Sequence, residues 1–411
     1  MLHPSWNTRY LIRNSVRGTL WVTPLIAVVL AQILGALLQA VDVRLGWQAF
    51  GLGMQGAKAM LDAVVTLTLS FIVFTFGSLL VAIQVAGGQY SPRVIATALL
   101  RDRVIRRTVG LFVFTFMLSL KALDHTENEV PQMLVLATGC MALATIAAFL
   151  YLIDYAARLL RPVTLAQRVG EAGLDVLNSV YPDPYSPGLE SDSAAPNLGA
   201  PARTVPHTGR SAIVLAVDIK RLVAEARRTD GIIEFAPQMG DFVAVDEPLF
   251  FLHGGAKDAD DRLLHDCVIV GTERTLEQDP LFALRILVDI GIKALSSAIN
   301  DPTTAVLAID QLHRLLRRAG LRNLRTDSIL DRDCQPRLFF RIADWDDFVN
   351  LACCEIRCYG ASSLQVARRL RAMLMNLRET LPSIRHAALS RELGLLDRMI
   401  EHAYPLTEDL Q

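Results

Sequence analysis

The sequence predicts a membrane protein of four transmembrane α-helices followed by a mainly helical α/β cytoplasmic domain. Three observations carry that prediction. Four apolar stretches lie upstream of residue 154, arginines collect on alternate connections between them, and the later sequence changes to amphipathic helices and short strands. With 411 residues, 52% hydrophobic content and a mean hydropathy of +0.33, the chain is long enough for more than one domain and apolar for a soluble protein. A formal net charge of -1 gives no case for a nucleic-acid partner.

The predicted spans are about 20–38, 61–85, 109–123 and 133–153, since a crossing needs about 20 mostly apolar residues. The first, from Leu20 to Leu38, has no charge and no small-x-small cleavage site after it, so it reads as an uncleaved anchor. The second carries charge only at Asp62, near its start. The third is short, and Arg107 and Lys121 must snorkel at its ends. The fourth is rich in small residues, among them Ala137, Gly139, Ala144 and Ala148.

Orientation follows from the basic residues. Arg9, Arg13 and Arg17 precede the first span. Arg93, Arg101, Arg103, Arg106 and Arg107 lie between the second and third, and Arg158, Arg161 and Arg168 follow the fourth. The connection from Asp124 to Val130 has acids and no Lys or Arg. Both termini are therefore expected in the cytoplasm. Ser91 as N-cap and Pro92 at the first helical position would start a helix at the inner surface. Its five arginines would meet anionic headgroups or serve only to fix topology; both readings stand.

The remainder reads as a juxtamembrane helix over 161–180, a Pro-rich linker over 181–210 and a cytoplasmic α/β domain over 211–411. The linker holds six of the 18 prolines and few large apolar residues. Strands are expected at 211–218, 231–237, 247–253 and 337–343, and a helix at 219–230. The stretch from Pro237 to Leu252, which opens "PQMGDFVAVDEPL", looks like half of a biotinyl- or lipoyl-type barrel. The modifiable hairpin-tip lysine is missing, because Lys220 is the only Lys between Ile213 and Leu252 and falls in the expected helix. Further helices are expected at 280–295, 302–318, 344–359, 362–381 and 384–403. Five of the six cysteines lie in this half; Cys353 and Cys354 are adjacent and poor disulfide partners, so these read as reduced thiols.

One break in the helical pattern is informative. Ala305, Ile309, Leu312, Leu316 and Ala319 form one apolar stripe, opposite Arg314, Arg317 and Arg318. The preceding helix carries Arg285, Asp289 and Lys293 at four-residue spacing, which suits pairing along its polar face. Between them stands "NDPTT". Asp301 suits the N-cap, Pro302 the first helical position, and Asn300 the turn that reverses the chain. With Thr303 these residues read either as a cap or as a ligand turn.

"GGQYSPRVIATALLRDRVIRRTVGLFVFTFMLSL" (Gly87–Leu120), "GDFV" with the later Pro248-Leu249, and "ALSSAINDPTTAVLAIDQL" (Ala294–Leu312) resemble blocks of the domain-of-unknown-function 2254 family, in the same order. One departure is Ser297, where the family block has Pro, which loosens the turn slightly. The resemblance covers nearly the whole chain. It implies a multi-pass protein of the bacterial inner membrane with a cytoplasmic domain, and no activity.

No phosphate-binding loop, nucleophile elbow, HExxH or paired CxxC motif is present, so no enzyme, metal or cofactor is expected. Cys354 and Cys358 are four apart on an expected helix without a His or Cys pair nearby, which is weak as a metal site. In the second span Asp62, Thr66, Ser70, Gly77 and Gln84 share a sector of about 80° at about 100° per residue. Polar groups in a bilayer seek protein or water, so this stripe reads as pore lining or as a packing seam. Two functional expectations follow: an oligomeric channel-like or transport-related protein regulated by its cytoplasmic domain, or a non-conducting sensor or scaffold for partner proteins.

Overall fold

The computed structural model describes residues 6, 21–45, 53–89, 102–126, 130–159, 161–187, 198–324 and 328–404. Ser91, Pro92, Arg93 and Arg101 lie outside them, as do residues 188–197 of the expected linker. The chain divides into two compact units: Arg13–Leu165, and Ala166–Gln411 together with Met1–Ile12.

The first unit contains α1 (Val22–Leu45), α2 (Met54–Gln89), α3 (Arg103–His125) and α4 (Gln132–Leu159). Among the described residues three helices, Val22–Arg44, Met54–Gln84 and Gln132–Leu159, are long and apolar enough to cross a membrane. Their outer faces expose large apolar side chains such as Leu25, Ile33, Val73, Leu143 and Leu150, the surface a bilayer covers. The expected span at 109–123 falls within α3, which begins six residues earlier and has a different character.

Helix α3 packs against α1, α2 and α4, burying Phe112 and Leu118 together with the polar Thr108, Thr115 and Ser119. Its hydroxyls are satisfied inside the bundle: Thr115 and Thr145 meet at 3.0 Å, and Ser119 donates to the Thr115 carbonyl. Asp102 caps α3 by accepting from Val104 N–H (2.8 Å), and Tyr155 of α4 donates to its other oxygen (2.5 Å). Lys121 does not reach out of the bundle. Its ammonium donates to the Gln32 carbonyl of α1 at 2.9 Å. At the opposite ends of these helices Asp42 of α1 accepts from the first amides of α4, Met133 and Leu134 (3.0 and 3.3 Å).

The second unit begins with most of α5 (Pro162–Val180) and continues through β1 (Arg203–Pro206), β2 (Ala212–Val217), α6 (Ile219–Arg228), β3 (Gly231–Phe235), β4 (Phe242–Val243), β5 (Pro248–Gly254), α7 (Asp261–Asp266) and β6 (Val268–Gly271). Helices α8 (Pro280–Ala294) and α9 (Pro302–Gly320) follow, then β7 (Ser328–Leu330), β8 (Pro336–Phe340), α10 (Trp345–Gly360), α11 (Leu364–Thr380) and α12 (His386–Ala403). Residues 203–206, expected as linker, instead form β1, paired antiparallel to β5. Two sheets result, ordered β1-β5-β3-β8-β7 and β4-β2-β6. All pairings are antiparallel except β3 with β8.

Apolar side chains from both sheets, including Val214, Ile233, Phe250, Leu252 and Leu338, share one core with Leu222 of α6. Each such large side chain contributes about 1.5–3 kcal/mol on burial. Five helices of this unit start at an aspartate cap: Asp218, Asp260, Asp279, Asp301 and Asp344. Arg285 and Asp289 of α8 pair as their spacing suggests, and Arg285 also pairs with Glu355 of α10.

Candidate functional site

The second unit contains an apolar cavity of about 460 Å³, within the range of about 300–1,000 Å³ usual for small-molecule sites. Strands β3, β8 and β7 supply one wall through Phe235, Leu338, Phe340 and Ile329. The start of α8 supplies Asp279, Pro280 and Leu281, and the end of α5 with the residues after it supplies Val180 and Tyr181. The turn "QMGD" contributes Gln238 and Met239.

That turn is held by local chemistry. Asp241 accepts from the Gln238 N–H at 2.8 Å, and Gly240 adopts φ +87°, a conformation that favours glycine. A Cβ on Gly240 would also lie 2.5 Å from both Arg274 Nε and Asp279 Oδ2, so no other residue fits without displacing that ion pair. Asp279 is buried, accepting from Phe282 N–H at 3.0 Å and from Arg274 Nε and Nη2 at 2.8 and 2.6 Å. Burial pushes its carboxyl up from the ordinary range, against the opposing pull of Arg274. Gln278 continues the turn region by accepting from Val217 N–H at 3.0 Å. Tyr181 is buried and donates to the Ala343 carbonyl at 3.3 Å; burial raises its phenol far above its usual value.

The sequence-derived sites lie elsewhere. Asp301 caps α9 through Thr304 N–H (3.1 Å) and also accepts from the Thr304 hydroxyl (2.5 Å), while Pro302 occupies the first turn. Asn300 takes φ +48°, and the Asp301 N–H donates to the Ala294 carbonyl at 2.8 Å. Thr303 is exposed beside them. On α2 the stripe Asp62, Thr66, Ser70, Gly77 and Gln84 is exposed along its described length. The opposite face of α2, with Ala57, Leu61, Val64, Thr68 and Thr75, is the one buried in the bundle. Thr66 and Ser70 donate to the Asp62 and Thr66 carbonyls one turn earlier. Arg103 and Arg107 are exposed on the first turns of α3, and Arg106 donates to Thr23 at 3.3 Å.

Asp279, Gln238, Gln278, Tyr181 and Arg341 are among the cavity residues the sequence did not single out. One signal was present: Asp279-Pro280 repeats the Asp301-Pro302 cap signature at the start of a predicted helix. Among the described residues no group of three or more metal-ligating side chains converges.

The family described as predicted membrane protein (DUF2254) matches residues 17–376. Uncharacterised proteins of Mycobacterium bovis and Mycobacterium tuberculosis are each 27% identical to the chain over 419 aligned residues, covering 97% of this chain and 79% of theirs. No solved structure matches it.

Proposed function

Because the chain belongs to the DUF2254 family of predicted membrane proteins, we propose that it is a four-span inner-membrane protein with both termini in the cytoplasm. In this reading copies assemble through α2 into a channel-like or transport-related homo-oligomer regulated by the second unit, and no catalytic reaction is assigned. The observation that carries the topology is Trp6. This residue precedes the first span, yet it packs on Leu215, Ala216 and Ile269 of the three-stranded sheet, within the unit that also holds residues 166–411. This supports a reading in which chain before the first crossing and after the last lies on one side, and so an even number of crossings. Helix α3 supplies the fourth. At about 1.5 Å per residue its 23 residues extend about 34 Å, enough for a hydrocarbon core of about 30 Å.

Part of its modest hydropathy comes from Thr108, Thr115 and Ser119, which are buried in the bundle. The arginine-rich segment supports a cytoplasmic location for the shared side, and exposed Arg103 and Arg107 would favour anionic headgroups by about 1 kcal/mol each. The exposed polar face of α2 supports assembly, because carboxylate and amide groups at membrane depth are costly against lipid. A Trp6→Cys, Ile269→Cys pair, joined by a short bismaleimide in native membranes, tests the carrying contact. Efficient intramolecular cross-linking is expected, and none at all would contradict it. Reconstitution then tests the activity: ion or solute flux supports the channel-like reading, whereas a flux-free protein favours the non-conducting sensor or scaffold.

A further inference from the structure

We propose that the cavity of the second unit binds a medium-chain carboxylate, with the alkyl chain among its apolar walls and the carboxylate at its donor-bearing edge. The inference goes beyond the reading above and stands whether or not the chain conducts. The walls are Phe235, Leu338, Phe340 and Met239, which suit an alkyl chain and offer it no polar partner. Two lining residues retain unused donors. Gln238 Nε2 is shielded from solvent and has no hydrogen-bond partner. Such a group is costly until a ligand or water satisfies it. Arg341 also lines the cavity, is exposed, and has no ion pair among the described residues.

The acid at the site is already committed. Asp279 receives both Arg274 bonds and the Phe282 amide, so Asp279 and Arg274 balance each other and Arg341 leaves the rim with one positive charge. A cavity with apolar walls, a vacant donor and an unpaired guanidinium selects an acceptor-headed amphiphile over a neutral or cationic one.

The test uses the full chain in lipid nanodiscs, with empty nanodiscs as the reference for partitioning into lipid. Decanoate and decanol, which share a tail and differ in charge, compete against a fluorescent fatty acid. Saturable decanoate binding above empty discs is expected, tighter than decanol by at least about tenfold, the scale of one charge-assisted hydrogen bond. Arg341→Gln, a surface change, is expected to collapse that preference and leave decanol binding intact. Met239→Trp, on the turn, should fill the cavity and remove both, with melting temperature as the check on folding. No saturable binding above empty discs would overturn the proposal. So would equal affinity for decanol, or a wild-type preference for decanoate in Arg341→Gln.

Discussion

Asp301 shows how much a single residue can fix. Its carboxylate closes the first turn of α9, and its own amide ties back to Ala294 at the end of α8. Asp301→Ala is expected to lower stability by about 1 kcal/mol, typical for the loss of an N-cap, read as a shift in thermal or denaturant unfolding. Asn300, at φ +48°, gives a paired prediction: glycine should be tolerated, whereas valine should cost about 1–3 kcal/mol for a branched residue in the left-handed region. Asp331 carries a pH signature. Its carboxyl accepts from Arg337 (2.8 Å) and from the Asp333 and Gln335 amides, and Arg337 above all holds it from the usual 3.8 down to about 2. A folded-state pKa below the unfolded one stabilises the fold above the unfolded value. That contribution is lost as pH falls from about 4 to about 2, so Asp331→Asn should flatten the acid limb of melting temperature against pH. The Asp301 cap was legible in the sequence because it is built within four residues. Arg385 was not: it is buried between the Tyr185 and Trp345 rings and donates to the Arg322 carbonyl, partners brought to it only by the fold.

Among the elements, α3 and α2 divide the work of the first unit. The apolar run at 109–123 announced α3, but its true start at Arg103, capped by Asp102, was hidden by the basic residues of its first turns. Short strands were harder to read. Strands β1, β6 and β7 have three or four residues each and exist through partners distant in sequence, so local pattern carries little trace of them. The Thr115–Thr145 contact joins α3 to α4 inside the bundle. A double-mutant cycle with valine should give a coupling of about 0.6 kcal/mol, the usual worth of an interhelical hydrogen bond in a membrane. For α2, cysteines at 66, 70 and 77 should cross-link between copies in native membranes, and cysteines at Leu61, Val64 and Thr68, whose side chains face the chain's own bundle, should not. Cross-linking confined to the second set would reverse the assignment of faces.

At the scale of the whole molecule, topology ties the account together. Composition by itself yields three clear crossings, an odd number that would separate the N-terminus from residues 166–411. The packing of Trp6 on the three-stranded sheet and the arginines of alternate connections argue for an even number. In the proposed four-span arrangement α3 is the remaining crossing, because a helix packed among others needs less apolar surface than one facing lipid. The deciding position is Asn128, between α3 and α4. The measurement is labelling by a membrane-impermeant maleimide in intact spheroplasts, using single cysteines at 103, 128 and 404 in a chain whose six native cysteines are replaced. Four crossings predict that 128 is labelled from outside, while 103 and 404 react only after permeabilisation. Protection of 128 together with 103 would leave α3 on the cytoplasmic side and contradict the account.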